Sequence, residues 1–238
     1  MSPDFWTFTA HLLWRGLQIT ILVTVLGTVL ALITAFVAGL GRLSEHAVVR
    51  WIALAFIEVF RGTSLVAQLF FFFYALPAFG IRLAPMFAGV LAIGLNEGSY
   101  AAEIVRSAIG SRGVGQNEAC VALHMGKALR MRRVLIPQSI PAMLPPFGNV
   151  TVDLLKNSSL VSLVTVGDLT FQAQIVRNQF GSTTVVFALL LVIYFILSQL
   201  IALLSKWLER RFALDRDRRS PLRAARSQHV ALGGGGLS

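Results

Sequence analysis

GLQITILVTVLGTVLALITAFVAGLG, residues 16–41, runs for 26 residues without a charged side chain. A helix needs about 20 apolar residues to cross the hydrocarbon core of a bilayer, so this stretch predicts a transmembrane helix over about residues 17–40. It is too long for the apolar region of a signal peptide and lacks a small-residue cleavage site at its end, so it reads as a span. Gly27, Ala31, Ala35 and Gly39 recur at intervals of four residues. That spacing puts small side chains on one helical face, where a second helix can approach closely.

The rest of the chain follows the same rule. Of 238 residues, 55% are hydrophobic and only 13% are charged, with a mean hydropathy of +0.72. Water-soluble domains carry about 25% charged residues, so the solvent here is lipid. A second uncharged run spans residues 178–205, predicting a helix over about 182–204 with Trp207 at the interface. Between the two lie three less regular candidates, at about 52–76, 86–109 and 147–169. The first of these is interrupted by Glu58, Arg61 and Gly62, which reads as a short helix, a break near Gly62-Thr63-Ser64, and then the span proper. The fold class is therefore an all-α integral membrane protein with about five transmembrane helices.

Positive charge sets the orientation. With the amino terminus outside, sixteen of the 21 Lys and Arg fall in the inner segments, and only Arg15, Arg82 and Arg177 fall outside. The expected organisation is an external segment 1–15, a membrane domain 16–208 with a long inner loop at 111–138, and a basic tail 209–238. That tail has too little apolar surface to fold and is expected to be disordered. The net charge of +10 thus belongs to loops; no basic stripe interleaves with aromatics, and nucleic acid is not an expected partner. A single cysteine, Cys120, rules out an intrachain disulfide framework. His11, His46 and His229 lack metal-ligand spacing, so no metal site is expected.

Each ionisable residue inside a span requires a reason, because a charge at the bilayer centre costs about 2.5–3.5 kcal/mol even on insertion scales. Glu58 and Arg61, three residues apart, read as a structural ion pair rather than a cargo contact. Glu103 and Arg106 read the same way; Asp153 and Lys156 share the spacing. Asn96, Tyr100 and Glu103 form a polar stripe on the third span with Glu97 beside it. Asn157, Ser158 and Ser159 interrupt the fourth span, and Asp168 lies about three turns on. Taken singly, such groups commonly bond neighbouring helices. Taken together, Asn96, Glu97, Tyr100, Lys156, Asn157, Ser158, Ser159 and Asp168 are candidates to line a path for a small polar solute. A zwitterion would find a carboxylate for its cationic end in Glu97 or Asp168, and a cation and donors for its carboxylate in Lys156, Asn157 and Ser158.

The inner loop carries the most specific pattern. Glu118-Ala119-Cys120 is followed at a distance by Val134, Ile136 and Pro137. Gln116 or Asn117 is placed to cap a short helix with Glu118 in its first turn. This stretch resembles the EAA loop of binding-protein-dependent ATP-binding-cassette permeases, with Cys120 for the third small residue. The glycine expected a turn later falls on His124. Histidine tolerates positive φ better than most residues, and Gly126 is two positions on, so the turn is expected to be displaced rather than lost. Glu58-Val-Phe-Arg61-Gly62-Thr63, Leu65, Gln68-Leu69-Phe70-Phe71, Tyr100-Ala-Ala-Glu103-Ile-Val-Arg106, Gly115-Gln116, Pro137-Gln138 and Leu155-Lys156-Asn157-Ser158-Ser159-Leu160-Val161-Ser162 are similar to the polar amino acid permeases. Ser64 stands where proline is usual in them. The resemblance covers roughly residues 15–205. Residues 161–174 and 128–133 resemble the ectoine and hydroxyectoine branch.

The resemblance implies a type I ABC importer transmembrane domain in a bacterial inner membrane. It would assemble from two permease chains (identical or paralogous), two cytoplasmic ATPases and an external solute-binding protein. Glu118, Ala119, Cys120, Leu123, His124, Met125 and Gly126 would couple to the ATPase. ATP and Mg²⁺ would sit on that partner, with no cofactor on this chain. The phosphate-binding G-x-x-x-x-G-K-[ST] loop is missing, since Gly126-Lys127 is followed by Ala128. The chain is thus read as a transport subunit, not an enzyme. The competing reading is a secondary transporter or channel for a small polar solute; a visible inverted repeat would have favoured it.

Overall fold

The computed structural model describes residues 3–111 and 114–217. The described residues form nine α-helices, joined in places by π-helical and 3₁₀ turns, and no strand: α1 (Pro3–Arg42), α2 (Ala47–Gly62), α3 (Leu65–Phe70), α4 (Pro85–Gly110), α5 (Val114–Ala122), α6 (Lys127–Arg130), α7 (Ile136–Asn157), α8 (Leu169–Phe180) and α9 (Thr183–Asp217). Helices α1 and α9 are each long and apolar enough to cross a membrane alone, over Phe5–Arg42 and Thr183–Phe212. Two bent pairs meet the same criterion if each is one span: Ala47–Gly62 with Leu65–Phe79, bent by 103°, and Lys127–Val164 with Leu169–Phe180, bent by 54°. Helix α4 has 26 residues, about 39 Å at 1.5 Å per residue. Its apolar character is diluted by Asn96 and Glu97, which it buries inside the protein.

The α1–α4 pair is the centre of the bundle, and small residues are the reason. Ala31 and Ala35 are buried. A Cβ added to Gly39 would come within 2.8 Å of the Ala102 carbonyl, and one added to Gly98 within 2.6 Å of Thr34 Cβ. Ala31, Ala35 and Gly39 of the four-residue repeat on α1 thus face α4, whereas Gly27 meets the Leu154 side chain of α7. Around this seam Val23, Leu69, Ile93, Leu154, Val161 and Val164 form the main apolar core.

Four boundaries differ from expectation. Helix α1 starts at Pro3 rather than near residue 17, because Phe5 and Leu13 pack with Leu169, Ala173, Val176 and Val186, and Phe5 meets Phe180 edge-on at 5.1 Å. Helix α7 starts at Ile136, well before residue 147, and carries Pro141, Pro145 and Pro146 within it. It ends at Asn157, followed by a 3₁₀ turn, Ser158–Val164, and by α8. Helix α9 continues to Asp217, so residues 209–217 of the expected tail are helical, with the Arg211 guanidinium 5.3 Å above the Trp207 ring. The remaining tail, 218–238, lies outside the described residues. The break at Gly62-Thr63-Ser64 is where the sequence placed it, between α2 and α3.

Two of the expected ion pairs form. Arg106 Nε lies 2.7 Å from Glu103, which Arg42 approaches at 3.7 Å. Lys156 Nζ lies 3.5 Å from Asp153. The expected Glu58–Arg61 pair does not form. Both side chains are exposed at the end of α2, and the Arg61 guanidinium instead stands 5.1 Å over the ring of Tyr100, where the electron-rich aromatic face attracts it.

Candidate cargo path and coupling segment

Helices α4 and α7 diverge beside the α2–α3 turn and leave a cavity of about 530 Å³. Asn96, Glu97 and Tyr100 enter it from α4; Asn149, Val150, Asp153, Lys156 and Asn157 enter from α7. Ser64, Leu65 and Val66 form the wall contributed by the turn, with Leu160 from the 3₁₀ turn. The volume lies within the usual range for small-molecule sites, about 300–1,000 Å³.

The polar groups are organised around Glu97. It is 6% exposed, and Asn157 Nδ2 donates to its Oε1 at 2.7 Å, tying α4 to the end of α7. Among the described residues no Lys, Arg or His lies within ion-pair distance of it. A carboxylate withdrawn from water needs a compensating cation, and here the open side of the cavity is where one can come from. Lys156 and Asp153, paired loosely and exposed, supply both signs on the opposing helix. The cavity wall thus carries a buried carboxylate and an exposed pair of opposite charges.

Five of the eight sequence candidates therefore meet in one place: Asn96, Glu97, Tyr100, Lys156 and Asn157. Three do not. Ser158 is fully buried and its Oγ donates to the Leu155 carbonyl at 2.7 Å; Ser159 Oγ donates to the Lys156 carbonyl at 2.8 Å. Both satisfy the end of α7 where it tightens into the 3₁₀ turn. Asp168 is fully buried and caps α8, accepting from the amides of Thr170 at 3.2 Å and Phe171 at 3.0 Å. Its carboxylate is taken up by orphan helix-start donors, and it does not line the cavity. Sequence reasoning passed over Ser64 and Asn149 and treated Asp153 only as half of an ion pair. The signal was the spacing: 149, 153, 156 and 157 all fall within the expected span 147–169 and share one face of α7, a pattern legible once Asp153 is not read only as half of an ion pair.

At the other end of the bundle α5 stands out from the protein. Glu118, Ala119 and Leu123 are exposed, Leu123 by 73%, while Cys120 is buried. The helix begins at Val114, so Gln116 and Asn117 lie inside it and neither caps it. It closes on His124, at φ 54°. The His124 amide donates to Val121 O at 2.8 Å and the Met125 amide to Cys120 O at 3.0 Å. This is the paired C-terminal pattern that a left-handed residue makes possible. The turn is thus not displaced. His124 itself adopts the conformation, and Gly126 has an ordinary φ of −60°. Lys127, just beyond, is ion-paired with Glu45 in the α1–α2 loop.

Comparison with known proteins bears on the family and the fold. Residues 27–214 match the model of a family described as binding-protein-dependent transport system inner membrane component. A probable amino-acid ABC transporter permease of Sinorhizobium fredii is 43% identical over 187 residues, 76% of this chain and 79% of the relative. An L-cystine transport system permease of Bacillus subtilis is 36% identical over 91% of this chain and 90% of its own length. Among solved structures, the crystal structure of an amino acid ABC transporter with histidines superposes with a TM-score of 0.80 at 34% identity, covering 89% of this chain and all of that one.

Proposed function

The chain belongs to the family of binding-protein-dependent transport system inner membrane components, and from that premise we propose that it carries an amino acid or closely related zwitterion through the α4–α7 cavity. It is an inner-membrane permease subunit of an ABC importer, a transport component rather than an enzyme, and it works with an ATPase and a solute-binding protein. The observation that carries the cargo class is Glu97, a buried carboxylate with no cation within ion-pair distance among the described residues, which lines the cavity together with Lys156. An ammonium group on the cargo supplies the missing charge, and Lys156 with Asn157 receives the cargo carboxylate. Two relatives bear names of amino-acid and cystine permeases, which supports that class.

The finer assembly belongs to the same proposal. Two permease chains sit side by side with the amino terminus outside, and ATP with Mg²⁺ binds only to the partner ATPases. Residues 118–126 seat in a groove of the ATPase, so that closure of the ATPase pair draws α5 inward and opens the cavity to the opposite side. The test is ATP-dependent uptake in proteoliposomes holding the chain with its ATPase and binding protein. Labelled glutamine, glutamate, arginine, cystine and ectoine are offered in turn. Removing the Glu97 charge with Glu97→Gln should raise KM about tenfold or more for the transported species, the worth of a charge-assisted bond. Unchanged uptake of every transported compound by this variant would remove Glu97 from the path.

A further inference from the structure

Helix α2 stops at Gly62, and its last carbonyls face the break rather than a next turn. Inside a bilayer such carbonyls must find donors within the protein. The Phe60 carbonyl receives two, Gln68 Nε2 at 2.8 Å and Asn96 Nδ2 at 2.8 Å. Gln68 Nε2 also donates to Thr63 Oγ1 at 2.8 Å, and Gln68 Oε1 accepts from Asn96 Nδ2 at 3.2 Å. Thr63 Oγ1 in turn donates to the Val59 carbonyl at 2.7 Å. Gln68 and Asn96 are 9% and 6% exposed. One knot of amides therefore binds the end of α2, the body of α3 and the middle of α4 at the 103° bend.

The knot brackets the cavity wall in sequence. Its members on the turn, Phe60, Thr63 and Gln68, flank Ser64, Leu65 and Val66, and Asn96 lines the cavity beside them. An amide nitrogen has two hydrogens to give. Those of Asn96 go to Phe60 and Gln68, which leaves none for cargo. We infer that Asn96 and Gln68 are positioning residues: they hold the α2–α3 turn against α4, fix the Ser64–Leu65–Val66 wall, and so set cargo affinity without donating to the cargo. The inference rests on the reading of this cavity as the cargo path, and its test separates the two.

The first measurement needs no cargo. Spin labels at Ser64→Cys and Asn149→Cys, on opposite sides of the cavity, are placed in a Cys120→Ser background in the assembled transporter. The distance distribution should be single and narrow. Asn96→Leu, which keeps the approximate size, loses the donors and adds no charge beside Glu97, and Gln68→Met should broaden or shift it, and the exchange Gln68→Asn with Asn96→Gln should narrow it again. Thr63→Val, a milder cut at an exposed position, provides the same reading if a buried variant fails to fold. The second measurement is uptake of whichever of the five labelled compounds is transported. KM should rise about tenfold in both buried variants, the worth of a lost buried hydrogen bond, and in Gln68→Met, which lies outside the cavity lining, maximal rate and cargo-free ATPase activity should stay within about twofold. An unchanged distance distribution in all three variants overturns the inference. A changed distribution with unchanged KM overturns the link to affinity; if Glu97→Gln also leaves KM unchanged, the failure lies in the reading of the cavity.

Discussion

His124 holds a backbone conformation that an L-residue adopts at a cost of about 1–2 kcal/mol, and it does so at the end of α5. His124→Gly should therefore leave the turn intact and hold or raise stability, by up to about 1 kcal/mol after the added freedom of the unfolded chain is subtracted. His124→Val, β-branched and poorly suited to positive φ, should lower it and weaken the coupling of ATP hydrolysis to uptake. Thermal unfolding and uptake per ATP hydrolysed check both. Asp168 makes a sharper distinction, because its two capping bonds predict a stability effect and no transport effect. Asp168→Ala should cost about 0.5–2 kcal/mol, whereas Asp168→Asn, itself a good cap, should cost little. Neither should alter KM; a raised KM in a stably folded Asp168→Asn protein would return this residue to the cargo path. In sequence, Glu97 and Asp168 are both carboxylates within apolar surroundings, and nothing in their neighbours separates a cavity group from a cap. The difference lies in where α8 begins, and the polar interruption at 157–159 concealed that.

Helix packing rests on close approach between α1 and α4, which makes two glycines unequal. Gly98→Ala places a methyl within 2.6 Å of Thr34 Cβ and 3.0 Å of the Ala31 carbonyl, so the helices must part, at about 1–3 kcal/mol. Gly62→Ala meets nothing within 4 Å and should change stability by no more than about 0.5 kcal/mol. Unfolding in detergent compares the two. The link from α6 to the α1–α2 loop predicts a pH response. The Glu45 carboxylate is held below its ordinary range by the hydrogen bond and then the charge of Lys127. Because the folded value is the lower one, the tie is present above the ordinary carboxylate range and is lost as pH falls through the lowered value. Hydrogen exchange of residues 124–130 should rise on acidification in that range and, at neutral pH, in Glu45→Gln; no change in either would make the pair incidental. The uncharged runs identified α1 and α9 in the sequence because lipid requires little else of them. The ends were less legible. The first turns of α1 are held by distant residues of α8, and the three prolines of α7 read locally as breakers although the bundle accommodates them.

At the scale of the whole molecule, two sites lie far apart in purpose. A cavity built by α4, α7 and the α2–α3 turn is the proposed zwitterion path, and α5 protrudes with Leu123 uncovered. In the proposed assembly the energy for transport comes from a separate ATPase and reaches this chain through α5. The family resemblance was legible in the order of motifs from residue 58 to 162, but the meeting of Asn149 with Glu97 depends on how α7 folds back on α4. The central claim is that α5 seats in the ATPase. A thiol at Leu123→Cys, in a Cys120→Ser background, should crosslink to single cysteines in the groove of the partner ATPase in membranes, in high yield and with a yield that changes on adding ATP. A Leu123→Cys chain that supports ATP-dependent uptake yet never captures the ATPase, with or without nucleotide, would contradict the account.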